Sequence, residues 1–255
     1  MSMRLSRSIV GEAEAEAVHR VICEDGYLGI GKEVQQFEAD VAAYLGVPAS
    51  WVISVNTGTA ALHLAVEAVL GHGSGAEVLV PSLTFVASFQ AIGGAGAVPV
   101  ACDARLDTAT IDLADAEGRL TPRTKAIMPV HYASNPVDLD GVYAFAEKHG
   151  LRVIEDAAHA FGCLYKGRKI GSFGDVACFS FDGIKNITCG EGGCIVTSDQ
   201  AVAEAARDGR LLSVEKDTEK RFSGQRSWEF DVERQGWRYH MSNVMAAIGR
   251  VQLTR

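Results

Sequence analysis

The amino-acid sequence, 255 residues long, predicts an α/β protein with a mainly parallel, seven-stranded sheet held between helices. Three observations predict it. Short apolar runs alternate along the chain with longer segments of helical period, as in successive βαβ units covered on both faces. One connection, from Phe181 to Gly193, is too short and too rich in glycine to carry a crossover helix, so the strand after it, Gly193–Val196, is expected to run antiparallel. Hydrophobic residues make up 47% and charged residues 22%, near the globular average, and a chain of this length can bury a full core.

In chain order, Glu12–Ile22 and Val34–Leu45 read as amino-terminal helices. The strand Trp51–Val55 leads through a Gly/Thr turn into the apolar helix Ala60–Leu70. Glu77–Val80 and Val98–Cys102 are strands on either side of the helix Val86–Gly93. Helix Leu113–Arg119, strand Lys125–His131, helix Asp140–His149 and strand Leu151–Glu155 continue the alternation. Val176–Phe181 and Gly193–Val196 complete the strands, and Gln200–Leu212 and Asn243–Leu253 read as the last helices. The polar, charge-rich segment Ser213–Arg226 reads as a mobile loop. The organisation expected is a helical segment over 1–50, a site-bearing large domain over 51–240, and the start of a further helix over 241–255.

Composition narrows the function classes. A net charge of −8 argues against a nucleic-acid partner. The apolar stretch Ala91–Ala101 is broken by Gly93, Gly94, Gly96 and Pro99, and no run is long enough to span a bilayer. The start, Met1–Arg7, is basic but leads at once to Glu12, Glu14 and Glu16, so no export signal is expected and the reading is cytoplasmic. The six cysteines form no C-x-x-C pair and read as cytosolic free thiols, although Cys189 and Cys194 flank a Gly-Glu-Gly-Gly turn where a disulfide or zinc is the alternative. No histidine spacing suggests a metal; His131 and His159 are site candidates through their neighbours alone.

Four short stretches carry candidate chemistry. Lys185 follows the strand Val176–Phe181 in a connection between two strands, with the hydroxyl of Ser180 five positions before it. Asn56–Leu62 joins a strand to a helix start, where free backbone N–H groups, the helix dipole and Thr59 can hold an anion; an ordinary helix cap is the plainer reading. Phe85, at a helix start after a strand, can stack on a planar ring or simply pack in the core. Asp156 ends a strand, where ligands bind in open α/β sheets. It either caps a helix or, if buried, needs a cationic partner such as a protonated pyridine nitrogen. Together these parts suit a phosphorylated cofactor held by a lysine.

With these motifs in this order, the chain resembles the DegT/DnrJ/EryC1/StrS family of sugar aminotransferases, of the fold-type I pyridoxal-phosphate enzymes. The likeness also takes in Gly26–Val34 with Phe37 and Glu38, Val130-His131-Tyr132 with Pro136–Asp140, and Met241–Asn243 with Ala246–Gly249. No single motif is specific; their order over nearly the whole chain is. The resemblance implies a fold-type I large domain and pyridoxal 5′-phosphate as cofactor. It implies that Lys185 is the cofactor-bearing lysine and the proton carrier, and that Asp156 pairs with the pyridine nitrogen. By the same route, His159 lies by the ring oxygen, Phe85 stacks on the ring, and Gly58, Thr59, Ala60 and Ser180 cradle the phosphate. Relatives that remove a hydroxyl group instead of transaminating have histidine in place of the lysine; Lys185 therefore favours transamination. The implied reaction moves an amino group from an amino acid, glutamate in much of the family, to a nucleotide-linked keto-hexose in deoxyaminosugar biosynthesis. A homodimer with shared active sites is implied as well.

Two departures stand out. Many members read Gly-Tyr-Asn-Tyr-Arg-Met where this chain reads Gly236-Trp237-Arg238-Tyr239-His240-Met241. The asparagine reaches the neighbouring subunit's cofactor phosphate. Arg238, a bidentate phosphate ligand by chemistry, can take that role, bind a substrate diphosphate, or face solvent. Secondly, the family's small carboxyl-terminal domain would follow Arg255, so a fragment or an incomplete paralogue that binds pyridoxal phosphate without turnover is the alternative. A nicotinamide dinucleotide protein would need G-x-G-x-x-G where Asn56-Thr57-Gly58-Thr59-Ala60 stands. A cysteine desulfurase would need a reactive cysteine on a late loop that this chain lacks.

Overall fold

The computed structural model describes residues 7–214, 217–225, 230–232 and 234–255. Helices α1 (Glu12–Arg20) and α2 (Lys32–Leu45) precede strand β1 (Val52–Val55) and helix α3 (Gly58–Leu70). Then follow β2 (Glu77–Pro81), α4 (Val86–Gly94), β3 (Val98–Cys102), α5 (Leu113–Gly118), β4 (Thr124–Ile127), α6 (Leu139–His149) and β5 (Arg152–Asp156). A small hairpin, β6 (Leu164–Tyr165) and β7 (Arg168–Lys169), leads to β8 (Val176–Ser180) and β9 (Gly193–Thr197). Helices α7 (Gln200–Gly209), α8 (Asp217–Phe222) and α9 (Asn243–Gln252) finish the chain. Caps explain several starts: the side chains of Thr57, Asp199 and Ser242 accept backbone N–H groups at the first turns of α3, α7 and α9.

The main sheet has seven strands in the order β1-β9-β8-β5-β4-β2-β3. Only β9 runs against its neighbours, pairing antiparallel with both β1 and β8, as the short glycine-rich connection requires. The two-residue period of the strands sorts the core into two layers. Val78, Val80, Ile154, Val176 and Cys178 pack against α3, α4 and α7. Leu79, Val153, Ala177 and Phe179 pack on the other side against α2 and α6. The same parity puts Asp156 and Ser180 on the α3 and α4 side, and Glu155 on the α6 side. Asn243 stitches the chain's ends together: its Nδ2 donates to Tyr27 O at 2.8 Å and its Oδ1 accepts the Val34 N–H at 3.3 Å.

Two expectations are corrected. The predicted strand Lys125–His131 keeps its ladder only to Ile127. Pro129 has no N–H to give, and beyond it one bridge, Val130 to Asp156, remains. Within the predicted loop Ser213–Arg226, residues Asp217–Phe222 form α8, braced by an Arg221–Asp217 ion pair of 2.6 Å; residues 215, 216 and 226 lie outside the described residues. The predicted basic start likewise falls outside them up to residue 6. Among the described residues, no helix is long and apolar enough to cross a membrane, and no group of His, Cys, Asp or Glu could hold a metal. The cysteines are free; Cys102, Cys178, Cys189 and Cys194 are buried, and burial raises the pKa of each.

Candidate active site

The carboxyl ends of β1, β2, β5 and β8 surround a cavity of about 500 Å³, where an open α/β sheet places ligands. One wall is the turn into α3. The Gly58 and Thr59 N–H groups have no protein acceptor among the described residues, and they lie at the positive end of the α3 dipole. Ser180 closes on this turn from β8. A Cβ on residue 58 would stand 2.6 Å from Ser180 Cβ, so only glycine lets the two elements approach this closely. Ala60 sits differently from its expected role. Its N–H is taken by Thr57 Oγ1 at 3.0 Å, and it is buried behind the cavity.

Asp156 lines the same cavity and is 4% exposed. Its Oδ1 accepts the Ala158 N–H at 3.1 Å, and its Oδ2 accepts the hydroxyl of Ser88 on α4 at 2.7 Å. The residues after it form no helix, so this is a local turn, not a helix cap. With its one hydrogen committed to the carboxylate, Ser88 is left to accept from Thr84 Oγ1, 2.7 Å away. Asp156 makes no ion pair among the described residues. A buried carboxylate oriented this way suits a cationic ligand.

Lys185 extends into the cavity from a tightly tied turn. Asp182 accepts the Ile184 N–H with Oδ1 at 3.1 Å and the Lys185 N–H with its carbonyl at 3.1 Å. Asn186 donates to Phe161 O at 2.8 Å, and Ser8 donates to Gly183 O from the amino-terminal segment. Phe85 is 70% exposed, lining the cavity instead of filling the core.

Two histidines complete the rim. Ala133, in left-handed conformation at φ 50°, aims its N–H at His159 Nδ1 at 3.3 Å, which leaves Nε2 to carry the hydrogen of the neutral ring. Burial and then the Lys185 charge lower the His159 pKa below its ordinary value, with Asp156 opposing. His131 is wholly buried; its Nδ1 accepts the Val137 N–H at 3.2 Å, so Nε2 donates to Glu155 at 2.9 Å. Tyr143 holds the other Glu155 oxygen at 2.8 Å.

Of the residues singled out in the sequence, Gly58, Thr59, Phe85, Asp156, His159, Ser180 and Lys185 share this cavity; Ala60 and Arg238 do not. Arg238 is exposed, with its carbonyl accepting from Asn56 Nδ2 at 3.4 Å beside the α3 turn. Sequence reasoning missed Thr84, Ser88, Asp182 and Glu191. Thr84 lay within the stretch already marked by Phe85, and Asp182 and Glu191 within the Lys185 connection; Ser88 had no local signal. Burial, then Asp182, raises the Glu191 pKa.

Residues 8–255 match the model of the DegT/DnrJ/EryC1/StrS aminotransferase family. The chain belongs to this family. Among its relatives, the spore coat polysaccharide biosynthesis protein SpsC of Bacillus subtilis (strain 168) is 42% identical over 250 residues, 98% of this chain and 63% of SpsC. The sugar aminotransferase CalS13 of Micromonospora echinospora superposes with a TM-score of 0.89 at 31% identity, covering 100% of this chain and 68% of CalS13. Spr1654 of Streptococcus pneumoniae in its PLP form gives a TM-score of 0.89 at 29% identity, covering 100% of this chain and 67% of Spr1654. The fold of this DegT/DnrJ/EryC1/StrS chain is that of these enzymes' shared portion, and the chain spans 63% of the length of its SpsC relative.

Proposed function

We propose that this chain carries the pyridoxal-phosphate site of a sugar aminotransferase, with residues 51–240 forming the site-bearing domain. The observation that carries the reading is one cavity holding an amine, Lys185, and a buried carboxylate, Asp156, that has no cationic partner among the described residues. The residues present fit the cofactor. Gly58 and Thr59 offer unspent N–H groups to its phosphate, with the Ser180 hydroxyl beside them. Phe85 offers a ring face, and Asp156 a counter-charge for a pyridinium.

Pyridoxal phosphate, when bound, supplies an electron sink for charge developing at the substrate carbon. Lys185 Nζ would serve as the base that takes the proton from the substrate carbon and as the acid that gives it up again. Asp156 would hold a pyridinium nitrogen in its charged form, and Ser88 and Thr84 keep Asp156 aimed. His159 would present the N–H of its neutral ring to the cavity. The amino donor is an amino acid, glutamate by family resemblance, and the acceptor a nucleotide-linked keto-sugar bound for a deoxyaminosugar. A homodimer sharing its sites is part of this reading: Arg238, outside its own chain's cavity, is available to a phosphate of the cofactor or of the substrate. Free cysteines suit a cytoplasmic setting.

The test is an absorption spectrum of the purified chain with pyridoxal phosphate, before and after borohydride, followed by peptide mapping. A reduced adduct on Lys185, absent in Lys185→Ala, together with amine transfer from glutamate to a nucleotide keto-hexose, is expected. An adduct without transfer would reduce the reading to a cofactor-binding paralogue; no adduct would overturn it.

A further inference from the structure

The middle of α3 grips the segment 237–239 with side chains that the proposed reaction does not use. Glu67, only 9% exposed in its side chain, accepts the indole N–H of Trp237 at 2.7 Å, and its other oxygen meets His72 Nδ1 at 2.6 Å. One turn earlier, His63 Nδ1 stands 3.1 Å from the Tyr239 hydroxyl. Burial, then the Glu67 charge, raises the Tyr239 pKa, so the hydroxyl keeps its hydrogen for this contact. The Trp237 and Tyr239 rings stack at 5.7 Å and 12°, and the His63 ring lies 4.9 Å from Trp237.

The backbone of the segment is extended and bonded along its length. Trp237 N donates to Gly209 O at 2.7 Å, Tyr239 N to Arg210 O at 3.0 Å, and Asn56 N to Tyr239 O at 2.7 Å. Side chains alternate along an extended chain. With Trp237 and Tyr239 turned to α3, Arg238 is turned away from it. It is exposed and makes no ion pair among the described residues, although Arg210, Arg221 and Arg250 nearby in sequence all do.

We propose that Glu67 and His63 are positioning residues: by holding Trp237 and Tyr239 they set the direction in which Arg238 meets a phosphate oxyanion. The inference rests on the proposed function, where that phosphate belongs to the cofactor or to a nucleoside diphosphate. The same helix carries Gly58 and Thr59 at its start, so α3 ties the phosphate turn and the Arg238 segment to one rigid body.

The test titrates the full chain with pyridoxal phosphate and, separately, with UDP, using the parent, Glu67→Gln, Trp237→Phe, Arg238→Ala and the Glu67→Gln/Arg238→Ala double variant. Unfolding midpoints establish that each is folded; Trp237→Phe, which keeps a ring in place, serves if Glu67→Gln fails to fold. Arg238→Ala is expected to weaken one ligand by about tenfold or more, the scale of a charge-assisted phosphate contact, and the ligand affected identifies the phosphate. Glu67→Gln and Trp237→Phe are expected to weaken the same ligand by about three- to tenfold and leave the other alone. The double variant should be no weaker than Arg238→Ala, because the losses act through one group. Losses that multiply in the double variant, an unchanged affinity in both grip variants, or no effect of Arg238→Ala would each overturn the inference. A missing Lys185 adduct would end the functional reading instead, while the UDP titration would still report on the grip.

Discussion

Ser88 on α4 donates its hydroxyl hydrogen to Asp156 Oδ2 at 2.7 Å, across 68 residues of sequence. Ser88 is fully buried, so the bond is shielded from water. It turns an acid that sequence alone leaves ambiguous into an oriented carboxylate at the cavity wall.

Removing the charge or its support should separate two roles. Asp156→Asn should still bind pyridoxal phosphate but lose turnover by about two orders of magnitude or more, the scale of losing a charge-stabilising group at a reacting centre. Ser88→Ala should cost about 1–3 kcal/mol of stability in urea titrations, with a smaller loss of turnover. Full turnover in Asp156→Asn would remove the counter-charge role.

The contact between residues 58 and 180 predicts a compensating pair. Gly58→Ala should destabilise by about 1–3 kcal/mol, because its Cβ meets Ser180. Adding Ser180→Gly should recover much of the stability in the same denaturation assay, yet leave cofactor affinity low, since the serine hydroxyl has gone. If the double variant is no more stable than Gly58→Ala, the clash is not the cause.

His240 makes stability depend on pH. Burial, and then Arg238, Arg221 and Arg210, push its pKa down to about 4 from 6.5, against Asp217. The unfolded chain takes up this proton near 6.5, while the folded chain refuses it until about 4. Stability is therefore fully present above the upper value and falls as pH drops through the window. His159, lowered in the same direction, adds to the slope. Urea midpoints for His240→Gln should change less with pH across this window than those of the parent; equal slopes would count against the assignment.

Tyr143 and His131 each hold one oxygen of Glu155 inside the α6 layer. Tyr143→Phe leaves a buried carboxylate oxygen without its donor and should cost about 1–3 kcal/mol in unfolding free energy. The His131 ring, which borders the cavity, would lose part of its anchor, so cofactor affinity should fall as well. An unchanged unfolding midpoint would mean that water replaces the phenol.

Much of this was legible in the sequence because the physics is local. Apolar alternation marked each strand of the main sheet, and a short glycine-rich connection marked β9 as the reversed strand. Lys185 and Asp156 stood out because each follows an apolar strand, and strand ends are where α/β sheets open. The end of β4 was misjudged because the apolar pattern runs past Pro129, which cannot donate to a ladder. α8 was missed because its charged residues read as a loop, whereas Asp217 and Arg221 pair one turn apart.

The sequence by itself determined the fold class, the family resemblance and seven of the residues that line the cavity, since these follow from periodicity and from motifs within single stretches. Tertiary structure alone decided that Ser88 supports Asp156 and that Glu67 and His63 hold the segment bearing Arg238. Those facts depend on contacts between stretches far apart in the chain. Hydrogen bonds form at about 3 Å whatever the sequence separation, so no local pattern encodes them.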